Sequence, residues 1–149
     1  MKEKIAFMFL FVFIVTGAVL PGKDKFKYFR IDKIVSVSGK IIKIRMEDSY
    51  RKNKFIIFEL KELKGNDQYD IEVSPQWFYG LDVAEGSLVE VKGSLNILKE
   101  KKIILAQSII FEGEVFNFRD KFGFPLWRGK RQGFGKNRWK GEMRRKGKR

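Results

Sequence analysis

The chain has 149 residues, enough for one domain with extended tails, and it contains neither cysteine nor histidine. These absences exclude disulfide frameworks, thiolate zinc sites, cysteine nucleophiles and every catalytic arrangement built on histidine. The 32 basic residues against 18 acidic residues give a formal charge of +14, which favours a polyanionic partner, and the 44% hydrophobic content is too high for a wholly disordered chain.

The first 18 residues are predicted to be a cleaved secretory signal peptide. A basic start precedes an unbroken apolar run over residues 5–15, and small residues follow it up to Ala18. Cleavage there predicts a mature chain in the periplasm, at the cell surface or secreted, with residues 19–31 as a linker. The alternative is an uncleaved membrane anchor, although residues 5–20 make only 16 positions and a bilayer core needs about 20.

Residues 32–118 are predicted to form a small all-β barrel, because short segments rich in valine, isoleucine and phenylalanine alternate with polar turns. In the first strand, Ile42, Ile44 and Met46 are expected on one face, and Gly39 is expected to mark a bulge or bend. Ser74 with the following proline predicts one short helix between the third and fourth strands. The expected strands cover residues 34–46, 54–63, 69–73, 87–98 and 103–111, with an added strand at 114–118.

Three strands, a short helix and two more strands are the element order of the OB-fold, a five-stranded Greek-key barrel. The sequence resembles this fold over residues 32–112, which implies an architecture but no function, because OB-folds serve many unrelated roles. The alternatives are an unrelated small sandwich and an SH3-like barrel. The residues that carry the resemblance are Val37 and Gly39, the G-x-x-V-x-V-x-G segment at 86–93, and Ile104, Ala106 and Ile109.

Two further segments resemble an uncharacterised family of exported bacterial proteins with OB-fold-like barrels. They are S-P-x-W-F at 74–78 and R-D-x-x-G-x-P-x-W at 119–127, and the resemblance implies export without an activity. Physically, the second segment predicts a turn at 120–123 and then an apolar strap across an edge or one end of the barrel. The apolar side chains of this strap are Phe122, Phe124, Leu126 and Trp127.

No residue pattern predicts catalysis, a metal site or a cofactor. The acidic residues are spread along strand faces and turns, and no spacing selects two of them as an acid–base pair. The sequence has no phosphate-binding G-x-x-x-x-G-K-[ST] loop, and the turn at 65–67 lacks the acidic ladder of a calcium loop. The protein is therefore predicted to be non-catalytic.

The outer face of the second and third strands is predicted to bind nucleic acid poorly and to suit a protein partner better. If alternate apolar residues point inward, Glu59, Asp70 and Glu72 point outward, and these carboxylates would repel phosphates. Lys61 is the only base expected beside them, with Phe55 and Ile57 as possible exposed apolar groups. Two basic loops remain possible contacts, through Tyr50, Arg51 and Lys52 in the first and Lys99, Lys101 and Lys102 in the second.

Residues 128–149 are predicted to be a disordered basic tail that contacts polyanions. Residues 127–149 hold 11 basic residues and one acidic residue, interleaved with aromatic side chains and five glycines. This mixture suits charge and stacking contacts, and the alternatives are a solubilising tail without a partner and a tail that pairs with the barrel. The predicted polyanion-binding residues are Arg128, Lys130, Arg131, Lys136, Arg138, Trp139, Lys140, Arg144 and Arg145.

Together these observations predict an exported, non-catalytic binding or envelope-associated module that its basic tail holds to anionic lipid or polysaccharide. The first alternative is an extracytoplasmic nucleic-acid-binding OB-fold protein that uses the tail and the two basic loops. The second alternative is a membrane-anchored subunit of a larger assembly. The sequence leaves the oligomeric state open.

Overall fold

The computed structural model describes residues 27–48 and 53–130. The predicted signal peptide, the tip of the first basic loop and most of the basic tail therefore lie outside the described residues. A 3-10 helix at Ile31–Lys33 precedes the first strand. The strands are β1 (Ile34–Asp48), β2 (Lys54–Glu62), β3 (Gln68–Pro75), β4 (Leu88–Leu98), β5 (Lys101–Phe111) and β6 (Glu114–Asn117).

The first five strands close into a barrel of OB-fold topology. The strands follow the order β3-β2-β1-β4-β5-β6, and β3 also pairs with β5. The β3–β5 pairing is parallel and the other pairings are antiparallel, which is the Greek-key closure of an OB-fold. The predicted five-stranded barrel is therefore confirmed, and neither a sandwich nor an SH3-like barrel describes this strand order.

Strand β1 is long enough to pair with two neighbours, and a bulge lies where it bends. Its first half pairs with β4 and its second half pairs with β2, with a register shift at Ile42. The extra residue reverses the alternation, so Ile41 before the bulge and Ile44 and Met46 after it face inward, where Ile44 and Met46 pair with Phe58 and Ile56 of β2, while Ile42 at the bulge is exposed. The prediction that Ile42, Ile44 and Met46 share one face holds for Ile44 and Met46, although Met46 is exposed near the strand end, and was wrong for Ile42.

Gly39 does not mark that bulge, although the prediction placed one there. It lies where β1 crosses close to the end of β2, and a Cβ atom at this position would stand 2.6 Å from the Leu60 Cγ and from the Lys61 carbonyl oxygen. The glycine therefore permits a close approach of two strands.

The predicted helix between β3 and β4 is a single turn. Strand β3 continues to Pro75, whose carbonyl oxygen accepts hydrogen bonds from the backbone N–H groups of Phe78 at 3.0 Å and Tyr79 at 3.1 Å. Ser74 is buried and its hydroxyl contacts the Pro75 carbonyl oxygen at 3.3 Å, so it does not cap a helix. The turn folds Phe78 into the barrel core.

The segment after β6 folds back onto the barrel, but only part of it is covered. Leu126 and Trp127 pack against the core, whereas Phe122 and Phe124 are 56% and 55% exposed. Asp120 explains the difference, because its carboxylate accepts hydrogen bonds from the backbone N–H groups of both phenylalanines at 2.9 Å. The expected cover by Phe122 and Phe124 was therefore wrong.

Candidate ligand-binding face

We call one surface of the barrel the outer face. It consists of the outward side chains of β1, β2 and β3, together with those residues of the N-terminal segment and of the segment after β6 that pack beside them. An ion-pair network centred on Arg45 of β1 lies across it. Arg45 Nε lies 3.0 Å from a Glu59 oxygen, its Nη2 lies 2.6 Å from an Asp70 oxygen, and its Nη1 contacts Glu47. Burial opposes the charged form, but the hydrogen bonds to Asp70 and Glu47 outweigh it and raise the pKa of Arg45.

Glu72 of β3 is held between two cations from distant parts of the chain. Its carboxylate lies 2.9 Å from Lys27 Nζ and 3.4 Å from Arg119 Nη2. Lys27 is the first described residue and Arg119 follows β6, so segments on both sides of the barrel in sequence contribute to this part of the outer face.

Arg119 is buried and joins the two strands that close the barrel. The parallel β3–β5 pairing ends at Glu72 and Leu105. At the next position, Arg119 Nη1 donates to the carbonyl oxygens of Ala106 at 2.5 Å and Val73 at 3.3 Å. The guanidinium thus takes the place of the next backbone hydrogen bonds in the seam. Burial lowers the pKa of Arg119 to about 10, against a rise due to Glu72, so the group remains charged at neutral pH.

Trp127 covers the other side of this arginine. Its ring centroid lies 5.0 Å from the Arg119 Cζ, 5.8 Å from the Phe55 ring and 5.7 Å from the Phe78 ring. Phe55 is consequently half-buried against Trp127, and Ile57 is buried as well. The expectation that Phe55 and Ile57 remain as exposed apolar groups on this face was wrong.

The expectation of unpaired carboxylates was wrong too. Glu59, Asp70 and Glu72 each have a cationic partner, and Lys61 is not the only base near them. The partners come from β1, the N-terminal segment and Arg119, which lies two residues after β6, so none of them belongs to β2 or β3. A prediction that considered β2 and β3 alone could not include them.

A cleft of about 410 Å³ opens at the end of the outer face nearest the β4–β5 hairpin. The hairpin brings two of the predicted loop contacts, Lys101 and Lys102, to this cleft, and Lys99 lies exposed at the hairpin turn. The cleft is lined by Arg45, Glu59, Gln68, Asp70, Glu100, Lys101 and Lys102.

Lys102 is fixed by a carboxylate in the turn between β2 and β3. Its Nζ lies 2.5 Å from Asp67 Oδ2 and 5.8 Å from the centroid of the Tyr69 ring. The hydrogen bond between Lys102 and Asp67 lowers the pKa of Asp67 and raises the pKa of Lys102. Lys99 and Lys101 make no ion pair among the described residues.

The structure describes few of the other predicted contact residues. Arg128 is exposed, Lys130 is half-buried, and both donate backbone hydrogen bonds that continue a turned chain after Trp127. Beyond them, Tyr50, Arg51 and Lys52 and the tail residues from Arg131 onward lie outside the described residues.

Arg45, Gln68 and Arg119 are the residues that the sequence did not single out. Of these three, only Arg45 could have been predicted to point outward, because alternation places it on the same face as Lys43, away from the core.

Within residues 27–48 and 53–130, no group of three acidic side chains stands close enough to hold a metal ion. In the same part of the chain no helix has the length and apolarity needed to cross a bilayer.

No protein-family model and no curated protein matches the sequence. Among solved structures, the chain is similar to the N-terminal domain of the PriB protein from Thermoanaerobacter tencongensis, which is described as dimeric, with a TM-score of 0.42 and 22% identity. The match covers 54% of this chain and 96% of that domain. The strand order and the β3–β5 closure described above are the basis for the fold assigned here.

Proposed function

We propose that the protein is an OB-fold binding module that takes single-stranded nucleic acid across its outer face. The observation that carries the proposal is the pairing of every carboxylate that was expected to repel phosphates there. The sequence-based predictions ranked attachment to anionic lipid or polysaccharide first and nucleic-acid binding as the alternative. The proposal places nucleic-acid binding first.

The outer face and its hairpin rim carry more positive than negative charge. The rim matters most, because Lys99 and Lys101 are exposed and have no carboxylate partner among the described residues, so phosphates can reach them without breaking an ion pair. The cations are Lys27, Lys43, Arg45, Lys61, Lys99, Lys101, Lys102 and Arg119, and the carboxylates are Glu47, Glu59, Asp67, Asp70, Glu72 and Glu100.

The cleft supplies polar groups beside that rim. Gln68 is exposed in β3 and can donate to or accept from a base edge, while the Arg45 guanidinium, whose nitrogens are bound by three carboxylates, offers its plane for base stacking. Single-stranded nucleic acids bind OB-folds by this combination of a basic track and adaptable base contacts.

Export and the attachment of the basic tail to an anionic surface stay part of the proposal as predictions. Both depend on segments outside the described residues. A basic tail of this composition would add non-specific affinity for the same polyanion that the barrel binds.

Fluorescence anisotropy of a labelled single-stranded oligonucleotide, titrated with the full chain over a range of salt concentrations, tests the proposal. The variant Lys99→Gln/Lys101→Gln should weaken binding and reduce the slope of log K against log salt by about 1.4, roughly 0.7 for each lost phosphate contact. The matched control is Lys33→Gln/Lys92→Gln, which removes the same charge from two exposed lysines away from the cleft.

The control variant should retain the slope of the unmodified chain. Equal losses in the two double variants would show that binding follows net charge alone, which contradicts a site on the outer face.

A further inference from the structure

The N-terminal segment and the segment after β6 meet at one contact outside the barrel. Gly123 adopts a positive φ of 87°, and a Cβ atom there would overlap the ring of Phe29. Tyr28 precedes Phe29, and Phe122 and Phe124 flank Gly123. The contact therefore brings three aromatic residues to one region of the surface.

These three residues, Tyr28, Phe122 and Phe124, are what we call the aromatic patch. They are 63%, 56% and 55% exposed, whereas Phe58 and Phe118 are fully buried in the core. Asp120 holds the two phenylalanines outward through hydrogen bonds to their backbone N–H groups, and its own backbone N–H donates to the Phe124 carbonyl oxygen at 3.0 Å. The fold thus presents the patch on a fixed turn.

Several basic residues lie close to the aromatic residues in the chain, together with the carboxylate of Asp120. Lys121 Nζ lies 4.9 Å from the centroid of the Phe122 ring, and Lys27 and Arg30 flank Tyr28 in the chain. Arg30 contacts Asp32 and Lys27 contacts Glu72, so two of these cations are also paired. Arg128 adds an exposed cation shortly after the turn.

The first described residue, Lys27, and the segment that follows β6 are linked by contacts on this side of the barrel. Contacts run from Lys27 to Glu72, from Glu72 to Arg119 and from Arg119 to Trp127, three residues before the last described position. The apolar stretch at residues 5–20 ends seven residues before Lys27. In the membrane-anchored alternative, in which this stretch stays in the bilayer, seven extended residues reach about 25 Å at most and keep the aromatic patch near the membrane.

We infer that the aromatic patch docks on the surface of an anionic lipid bilayer. Aromatic rings on a fixed turn enter the interfacial region, and the nearby lysine and arginine side chains attract anionic headgroups. The patch would set the orientation of the barrel on the membrane. This inference does not depend on nucleic-acid binding, because Tyr28, Phe122 and Phe124 are not part of the outer face, although Lys27 lies between the two surfaces.

The absence of cysteine allows a direct test with the full chain. A fluorescent label is attached to the single cysteine of Phe124→Cys, and the protein is incorporated into phosphatidylcholine vesicles that contain one-third phosphatidylglycerol and nitroxide lipids labelled near the headgroup. The matched control is Leu88→Cys, because Leu88 is an apolar residue in β4 that is 58% exposed. Quenching at position 124 should exceed that at position 88 by about threefold or more.

A second variant separates docking from simple tethering. This variant adds Tyr28→Ser and Phe122→Ser to Phe124→Cys. It should lose about half or more of the quenching at position 124. Omission of phosphatidylglycerol should lower it as well. Equal quenching at positions 124 and 88 would overturn the inference. The inference would also be overturned if the fluorescence of the label at position 124 responded to single-stranded DNA or to a second copy of the chain and not to lipid.

Discussion

Removal of the Arg119 guanidinium should destabilise the barrel more than any other single loss of charge among the described residues. Arg119→Met keeps an apolar side chain of similar length and removes the donors that join β3 to β5. The carbonyl oxygens of Val73 and Ala106, two residues that are fully buried, would lose their donor. Glu72 would also lose one of its two cations.

The expected size of the loss follows from these contacts. A buried polar group left without a partner costs about 1–3 kcal/mol, and removal of one member of a buried ion pair costs about 3–5 kcal/mol. The better packing of methionine offsets part of this. We therefore expect Arg119→Met to lower the free energy of unfolding by about 3–4 kcal/mol, and Arg119→Lys, which keeps the charge without the planar fork, by about half as much.

Urea denaturation followed by circular dichroism and tryptophan fluorescence measures this free energy. Lys121→Met is the matched control, because Lys121 is exposed and should change the value by no more than about 0.5 kcal/mol. A loss of less than about 1 kcal/mol in Arg119→Met would refute the claim that this residue closes the seam.

Three further predictions concern single sites. Gly93→Ala should lower the free energy of unfolding by about 3 kcal/mol in urea denaturation, because the new Cβ would meet the Leu105 carbonyl and stand 2.8 Å from Ile104 Cγ2; an unchanged midpoint would contradict this close approach. Tyr79→Phe should raise the melting temperature, with a gain of about 1 kcal/mol, because the buried Tyr79 hydroxyl has no hydrogen-bond partner within residues 27–48 and 53–130; a clear destabilisation would indicate a partner. The pKa of Asp67, which Lys102 lowers, should return toward 3.8 in Lys102→Met when followed by carboxyl NMR. The pKa of Asp67 is lower in the folded chain than in the unfolded chain, so the stability from this contact is present above pH 3.8 and is lost as the pH falls through the folded-state pKa. An Asp67 pKa at its ordinary value in the unmodified chain would exclude the contact.

Much of the barrel was predictable because strand alternation is a local property. Alternation alone places Ile56, Phe58 and Leu60 of β2 on one face, and all three are buried. The fold class followed from the order of these strands. The alternation failed at Ile42, because a bulge inserts one residue without any local signal in a run of apolar side chains.

The candidate site was less predictable because its contacts are non-local. Glu59 and Asp70 were correctly expected to point outward, but their shared partner, Arg45, comes from another strand. Arg119 occurs in a segment that reads as a turn, and its burial depends on carbonyl groups of β3 and β5. Sequence reasoning identified the charged groups of the face without their pairing, and the pairing decides whether the face repels phosphate.

Mapping of backbone amide NMR shifts in the full chain, with an unlabelled single-stranded oligonucleotide, tests the central claim most directly. We expect the largest shifts at Arg45, Gln68 and Asp70 and in the hairpin from Lys99 to Lys102, with small shifts in β6. Shifts confined to residues 131–149 would contradict the account, because the basic tail would then bind the oligonucleotide without the barrel.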